Sequence, residues 1–153
     1  LLDKADLVIH PGERVGLIGA NGSGKFAVSG GQATFDANES TASELALLGG
    51  TITGSNGGSA SVSALLWAGG SLNAKVKSTG NSTIGGTGKT LSGGELTLAG
   101  TTTWDGSNIS SGNGAKFVND ATGIFNAGDG GISHSGGSRA TFTNSGRFNS
   151  SDV

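Results

Sequence analysis

The sequence predicts an all-β fold, a right-handed parallel β-helix in which short strands stack as a solenoid, led by a strand-turn-strand segment of different composition. Three observations predict it. A short phrase occurs twice: Lys116-Phe117-Val118-Asn119 with Gly123-Ile124-Phe125-Asn126 returns as Thr141-Phe142-Thr143-Asn144 with Gly146-Arg147-Phe148-Asn149, Ile109 and Ile132 leading the two copies. Phe117 and Asn119 thus recur 25 residues on, and a period of roughly 20 to 50 residues marks stacked architectures in which neighbouring units supply each other's core. Apolar residues elsewhere keep a period of two, as in Ala33 and Phe35, Leu45 and Leu47, Val62, Ala64 and Leu66, Leu72, Ala74 and Val76, and Leu96 and Leu98; this spacing points side chains to one face of a strand. Double glycines at 49–50, 57–58, 69–70, 85–86, 93–94, 130–131 and 136–137 punctuate the strands and predict corners. At roughly 20 to 25 residues per coil, residues 27–153 hold about five or six coils.

Composition agrees. The 31 glycines among 153 residues far exceed the usual share of roughly 7%, and with Ser, Thr and Asn they make up about half of the chain. A solenoid accommodates this, because it needs only a thin apolar line inside and places Gly and Asn where the backbone turns to positive φ. The net charge of −2 and pI near 5.5 leave no basic footprint for nucleic acid. With no cysteine, there is no disulfide framework and no thiolate metal site. The longest apolar run, Ala64 to Ala68, is far short of the roughly 20 residues that span a bilayer. The chain contains no Met and opens without a signal peptide, so it reads as a fragment of something longer, with its targeting signals elsewhere.

The first 26 residues differ from the rest. They hold the only proline, Pro11, and six charged residues, Asp3, Lys4, Asp6, Glu13, Arg14 and Lys25. Asp6 to His10 and Arg14 to Ile18 read as strands around a Pro11-Gly12-Glu13 turn. The loop Gly19-Ala20-Asn21-Gly22-Ser23-Gly24-Lys25 follows and fits GxxxxGK, the P-loop pattern, directly after a strand. In that pattern backbone N–H groups uncrowded at the glycines converge on phosphate oxygens, and the lysine adds a positive point charge.

Residues Leu1 to Lys25 resemble the opening of an ABC-type ATPase, especially the ABC-F kind. The resemblance implies that Gly19, Asn21, Gly22, Ser23, Gly24 and Lys25 bind the phosphates of ATP. It stops abruptly. Phe26 stands where the family needs Ser or Thr to hold Mg²⁺, and Gly30-Gly31 opposes the helix that should follow. No Walker B strand is found downstream; Phe117-Val118-Asn119-Asp120 is too short and too polar. Leu91-Ser92-Gly93-Gly94-Glu95 spells an ABC signature, but the strand pattern of Leu96-Thr97-Leu98 follows it, so it reads as a repeat corner.

Most of residues 27–153 resembles, in style, the β-helical repeats of bacterial surface and autotransporter passenger proteins. Trp67 to Leu72 and Trp104 to Ile109 form a second pair of related corners, each with an apolar residue five after the Trp. The tryptophans read as core covers, with sugar stacking as the sharper alternative. Asn119, Asn126, Asn144 and Asn149 read as hydrogen-bonded ladders. The stretch holding Glu39 and Glu44 reads as a loose, solvated corner. Asp105, Asp120 and Asp129 with Arg139 lack the paired spacing of a polysaccharide-cleaving site, Gly128 to Gly131 lacks the repeated Asp of a calcium turn, and His10 and His134 have no partner at suggestive spacing.

Two segments follow: residues 1–26, a truncated ABC-ATPase-like P-loop segment, and residues 27–153, a β-solenoid region. The expected function is that of a non-enzymatic segment of a cell-surface or secreted, adhesin-like protein. It would use no cofactor or metal and offer a polar face to glycan or cell surface, without nucleic acid or a membrane span. The alternative is a cytoplasmic ATP-binding fragment without competent hydrolysis. The seam at Lys25/Phe26 is also the mark expected of two reading frames joined, by fusion or by an artefact.

Overall fold

The computed structural model describes residues 24–36, 39–105 and 107–150, and the backbone alone of residues 15–18. The described residues are all β, with no helix.

Strand β1 (Val15–Ile18) lies antiparallel to β2 (Lys25–Val28), and every other pairing is parallel. With β3 (Gln32–Asp36), β2 forms the first coil. The second coil is β4 (Glu39–Leu47) and β5 (Thr51–Ser55), the third β6 (Ser59–Trp67) and β7 (Gly70–Asn73). The fourth is β8 (Lys75–Ser78), β9 (Ser82–Ile84) and β10 (Lys89–Ser92); the fifth is β11 (Glu95–Leu98), β12 (Thr101–Trp104) and β13 (Ile109–Gly112). The sixth is β14 (Lys116–Asn119), β15 (Ile124–Ala127) and β16 (Ile132–Gly136), and β17 (Thr141–Asn144) and β18 (Arg147–Ser150) open a seventh. Stacked in parallel, these coils make a β-solenoid of about six turns.

Three faces result. The first runs through the front halves of β4 and β6 into β8, β11, β14 and β17; the second through β2, the back halves of β4 and β6, and β9, β12, β15 and β18. The third is a separate six-stranded sheet, β3-β5-β7-β10-β13-β16. In the second and third coils the first two faces share one nine-residue strand. From the fourth coil a corner at Thr79-Gly80-Asn81 divides them.

The duplicated phrase sets the register of the last coils. Phe117 pairs with Phe142 and Asn119 with Asn144, Phe125 with Phe148, and Ile109 with Ile132. The spacing is 25 residues at Asn119–Asn144 but 23 at Asn126–Asn149. One extra residue enters within β16, where its ladder with β13 slips between Ser111 and Gly112, and the second between β16 and β17. They leave at the next corner, where Ser145-Gly146 replaces the four-residue turn Asp120 to Gly123.

At two corners glycine is required by contact as well as by φ. Gly50 has φ +72°, and a Cβ there would lie 2.6 Å from the backbone of Gly30 and Gly31; one on Gly70, φ +78°, would meet Gly50 O at 2.6 Å. At these two positions the stacked corners of adjacent coils leave no room for a side chain.

Two expectations are corrected. Glu39 to Glu44 is not a loose corner but the front of nine-residue β4, paired along its length with β6. Small Ser, Thr and Ala side chains allow the strand to continue there with no double glycine to break it. Val62, Ala64 and Leu66 do not share a face. Val62 is buried, then Leu65 and Trp67, while Ala64 and Leu66 are half-buried. The alternation slips where β6 passes from the first face, paired to β8, to the second, paired to β9.

Candidate binding surfaces and the buried polar network

The core is one column of side chains inside the coils. Trp67 and Trp104 stand in the same row of the second face, with Ile84 between them. Trp67 is fully buried and Trp104 nearly so. Each indole Nε1 donates to the carbonyl three residues on, Trp67 to Gly70 at 3.4 Å and Trp104 to Ser107 at 2.8 Å. The two tryptophan corners are therefore the same device, and neither ring is open to a sugar.

Aromatic residues dominate the last coils. Phe117 meets Phe125 edge-on at 5.7 Å, Phe125 stacks on Phe148 at 5.5 Å with an interplanar angle of 11°, and Phe117 lies 5.6 Å from Phe142. The asparagine ladders form: Asn119 Nδ2 donates to Asn144 Oδ1, and Asn149 Nδ2 to Asn126 Oδ1, both at 2.7 Å.

Lys89 was not singled out by the sequence reading. It is 1% exposed, and its ammonium donates to Gly85 O at 2.8 Å, to Gly86 O at 2.7 Å and to Ser107 Oγ. All three N–H donors are used, as a buried charge requires. Burial pushes its pKa below the usual lysine value, and the charge of Asp105 acts in the opposite direction. Asp105 in turn accepts from the Ser107 N–H and hydroxyl and from Gly86 N–H. Those Ser107 bonds hold its carboxyl below the ordinary value. Parity carries the missing signal: Lys89 lies two before Leu91 and therefore points inward.

The sequence-predicted phosphate site is only partly within view. Gly19, Asn21, Gly22 and Ser23 lie outside the described residues, as does His10. Gly24 is exposed, and its carbonyl accepts from Ser43 N at 2.8 Å and Ser43 Oγ at 3.2 Å. Lys25 begins strand β2, paired to Glu44 in β4, and its Nζ lies 2.8 Å from Glu44 Oε2. The backbone after Lys25 is extended through Val28. Leu91 to Glu95 crosses from β10 through the Gly93-Gly94 corner into β11, a repeat corner as read.

The acidic candidates stand apart in role. Asp105 belongs to the Lys89 corner, Asp120 Oδ2 lies 3.5 Å from Lys77 Nζ, and Asp129 is exposed at a corner of the sixth coil. Among the described residues there is no group of three or more His, Cys, Asp or Glu able to hold a metal, and no helix long and apolar enough to cross a membrane.

What the coils place together is a contrast of faces. The first face carries the row Lys75, Glu95, Lys116, with Lys116 Nζ 3.6 Å from Glu95 Oε2, and Lys77 beside it. The third face carries no lysine, arginine or glutamate on its outer side. One outward row reads Gln32, Thr51, Ser71, Thr90, Ser110, Ser133, the next Thr34, Thr53, Asn73. Thr34 and Thr53 hydroxyls lie 2.9 Å apart, with Gln32 Nε2 donating to both. Asp36, at the edge of β3, is occupied by Ser55 Oγ and Asn56 Nδ2. Strands about 4.8 Å apart thus carry a grid of neutral hydroxyls and amides.

No protein family, no curated protein and no solved structure matches this chain.

Proposed function

We propose that this chain is a non-enzymatic β-solenoid segment of a surface-type, adhesin-like protein, and that its neutral third face contacts uncharged glycan. The observation that carries this reading is the run of outward hydroxyl and amide groups from Gln32 to Ser133, free of lysine, arginine and glutamate and stacked over six strands. Such a grid offers both donors and acceptors to sugar hydroxyls along a straight path.

The test is a binding panel of neutral and anionic polysaccharides read by calorimetry. Thr51→Lys with Thr53→Lys should weaken neutral-glycan binding by about tenfold or more, since each lost hydrogen-bonding position is worth about 1 kcal/mol. Lys77→Thr, on the first face, should leave it unchanged. Equal loss in both variants, or no binding to any neutral polysaccharide, overturns the reading. The ATP-binding alternative rests on the Gly19 to Lys25 motif. Saturable, Lys25-dependent stabilisation by ATP would replace the glycan reading with it.

A further inference from the structure

The chain holds three Asn-Gly pairs, at 21–22, 56–57 and 113–114, and the first lies outside the described residues. Among those described, Asn56 and Asn113 are the only non-glycine residues with positive φ, +50° and +53°. Each is followed by a glycine of positive φ, +83° at Gly57 and +69° at Gly114. Gly58 N donates to Ser55 O at 2.7 Å and Ala115 N to Gly112 O at 3.1 Å, so both pairs form the centre of type I′ turns. Both asparagines are exposed, and each side chain is held by one bond, Asn56 Nδ2 to Asp36 Oδ1 at 2.8 Å and Asn113 Nδ2 to Ser92 Oγ at 2.7 Å.

The two turns differ at the glycine. Gly114 N donates to Ser138 O at 2.9 Å, which ties the central amide of its turn to the next coil. Among the described residues no acceptor holds the Gly57 N–H, and a Cβ built on Gly57 would meet nothing within 4 Å. For the glycine nitrogen to reach the asparagine side-chain carbon, the peptide between them must turn over. That change carries the turn from type I′ to type II′ and the glycine to negative φ. Gly57 can make it at no cost in hydrogen bonds, whereas Gly114 must first release Ser138.

We propose that Asn56 is a site of spontaneous deamidation and that Asn113 is protected from it by the stack. The Gly57 nitrogen attacks Asn56 Cγ and forms a new C–N bond. The Cγ–Nδ2 bond breaks, and the amide leaves as ammonia, carrying away the proton lost from Gly57. Water then opens the cyclic imide at either carbonyl, giving aspartate or isoaspartate. Either product sets a carboxylate where the Asn56 amide met Asp36, so an attraction becomes a repulsion between like charges. Isoaspartate also lengthens the backbone of a corner that has no slack, since a Cβ on neighbouring Gly58 would lie 2.0 Å from Phe35 O. The new charge appears just past the end of β5, on the border of the neutral third face.

The test ages the 153-residue chain at mildly alkaline pH, folded and in denaturant, in isotopically heavy water that labels each carboxylate formed. Peptide mass spectrometry then follows the two sites separately. In denaturant they should convert at similar rates, because both present the same dipeptide. In the folded chain Asn113 should lag Asn56 by about fivefold or more, as expected where a hydrogen bond worth about 1 kcal/mol must first be given up. Asn56→Gly, which keeps the left-handed backbone and removes the amide, should take up no label at that corner while Asn113 keeps its slow rate. Equal rates in the folded chain, faster conversion at Asn113, or no conversion of Asn56 in the folded chain overturns the proposal. The readout is independent of glycan binding by the third face.

Discussion

In the first coil, β2 lies between β1 and β4, and Phe26 packs against Phe35 at 5.8 Å; in the last, Phe142 and Phe148 stand 5.9 Å apart and remain nearly half open. The ring spacing is alike at both ends, and the difference lies in what covers the rings. A strand ladder makes a core only when it has a neighbour on both sides, so an identical residue type contributes differently at each position along the stack.

The largest break in this comparison comes from truncating equivalent rings. Phe117→Ala should cost about 3–5 kcal/mol, since it opens a cavity in a column packed on both sides. Phe148→Ala, in the row of Phe125, should cost under about 1 kcal/mol, because much of its ring already meets solvent. Denaturant midpoints of the two variants check it, and equal losses would mean that the last coil is covered in solution.

Next in size is the interior cation of the fourth coil. Lys89→Ala should cost about 2–3 kcal/mol by leaving two backbone carbonyls without their donor. The native Lys89 pKa is lowered, so the unfolded chain holds this proton more tightly. The stability of the native chain relative to Lys89→Ala should therefore rise as pH climbs through the window below 10.5, the ordinary lysine value. A pH series of chemical denaturation reads the difference.

A smaller effect, of opposite sign, is expected at Thr102, whose hydroxyl is buried with no partner. Thr102→Val should stabilise the chain by about 1 kcal/mol, because a methyl replaces an unsatisfied hydroxyl of similar shape. Thermal denaturation checks it; destabilisation would place a partner at that hydroxyl. The smallest effect is at exposed Asp105, whose native value is lowered by Ser107. Its contribution should be complete above about pH 3.8, the ordinary value, and vanish as pH falls through the native one. The stability gap to Asp105→Asn should close over that acid range.

The sequence made the stacking legible wherever a row repeats its residue type. Phe117 over Phe142, Asn119 over Asn144 and Ile109 over Ile132 could be aligned by eye because inner positions admit few side chains. The corners were legible because positive φ and backbone contact both demand glycine, as at Gly50. The slip within β6 was not, since a strand that turns from one face to the next changes parity without any Gly or Pro to mark it. Lys89 escaped because a charged residue reads as solvent-facing until its three acceptors, two of them main-chain carbonyls, are seen. A polar face was expected, but not which residues share it, because its rows draw one residue from each of six coils. Of the candidate phosphate site, only Gly24 and Lys25 fall within the described residues.

The antiparallel β1 has a further consequence, in the order in which the fold comes apart. A stack held by nearest-neighbour contacts loses units from its ends. Here β2 at one end is covered by a strand running the other way, while β17 and β18 at the other have no partner on their outer edges among the described residues. Fraying should therefore travel from β18 back toward β2, with amide exchange fastest around Phe148 and slowest near Trp67. The chain has a preferred direction of unzipping, set by one short strand at its far end.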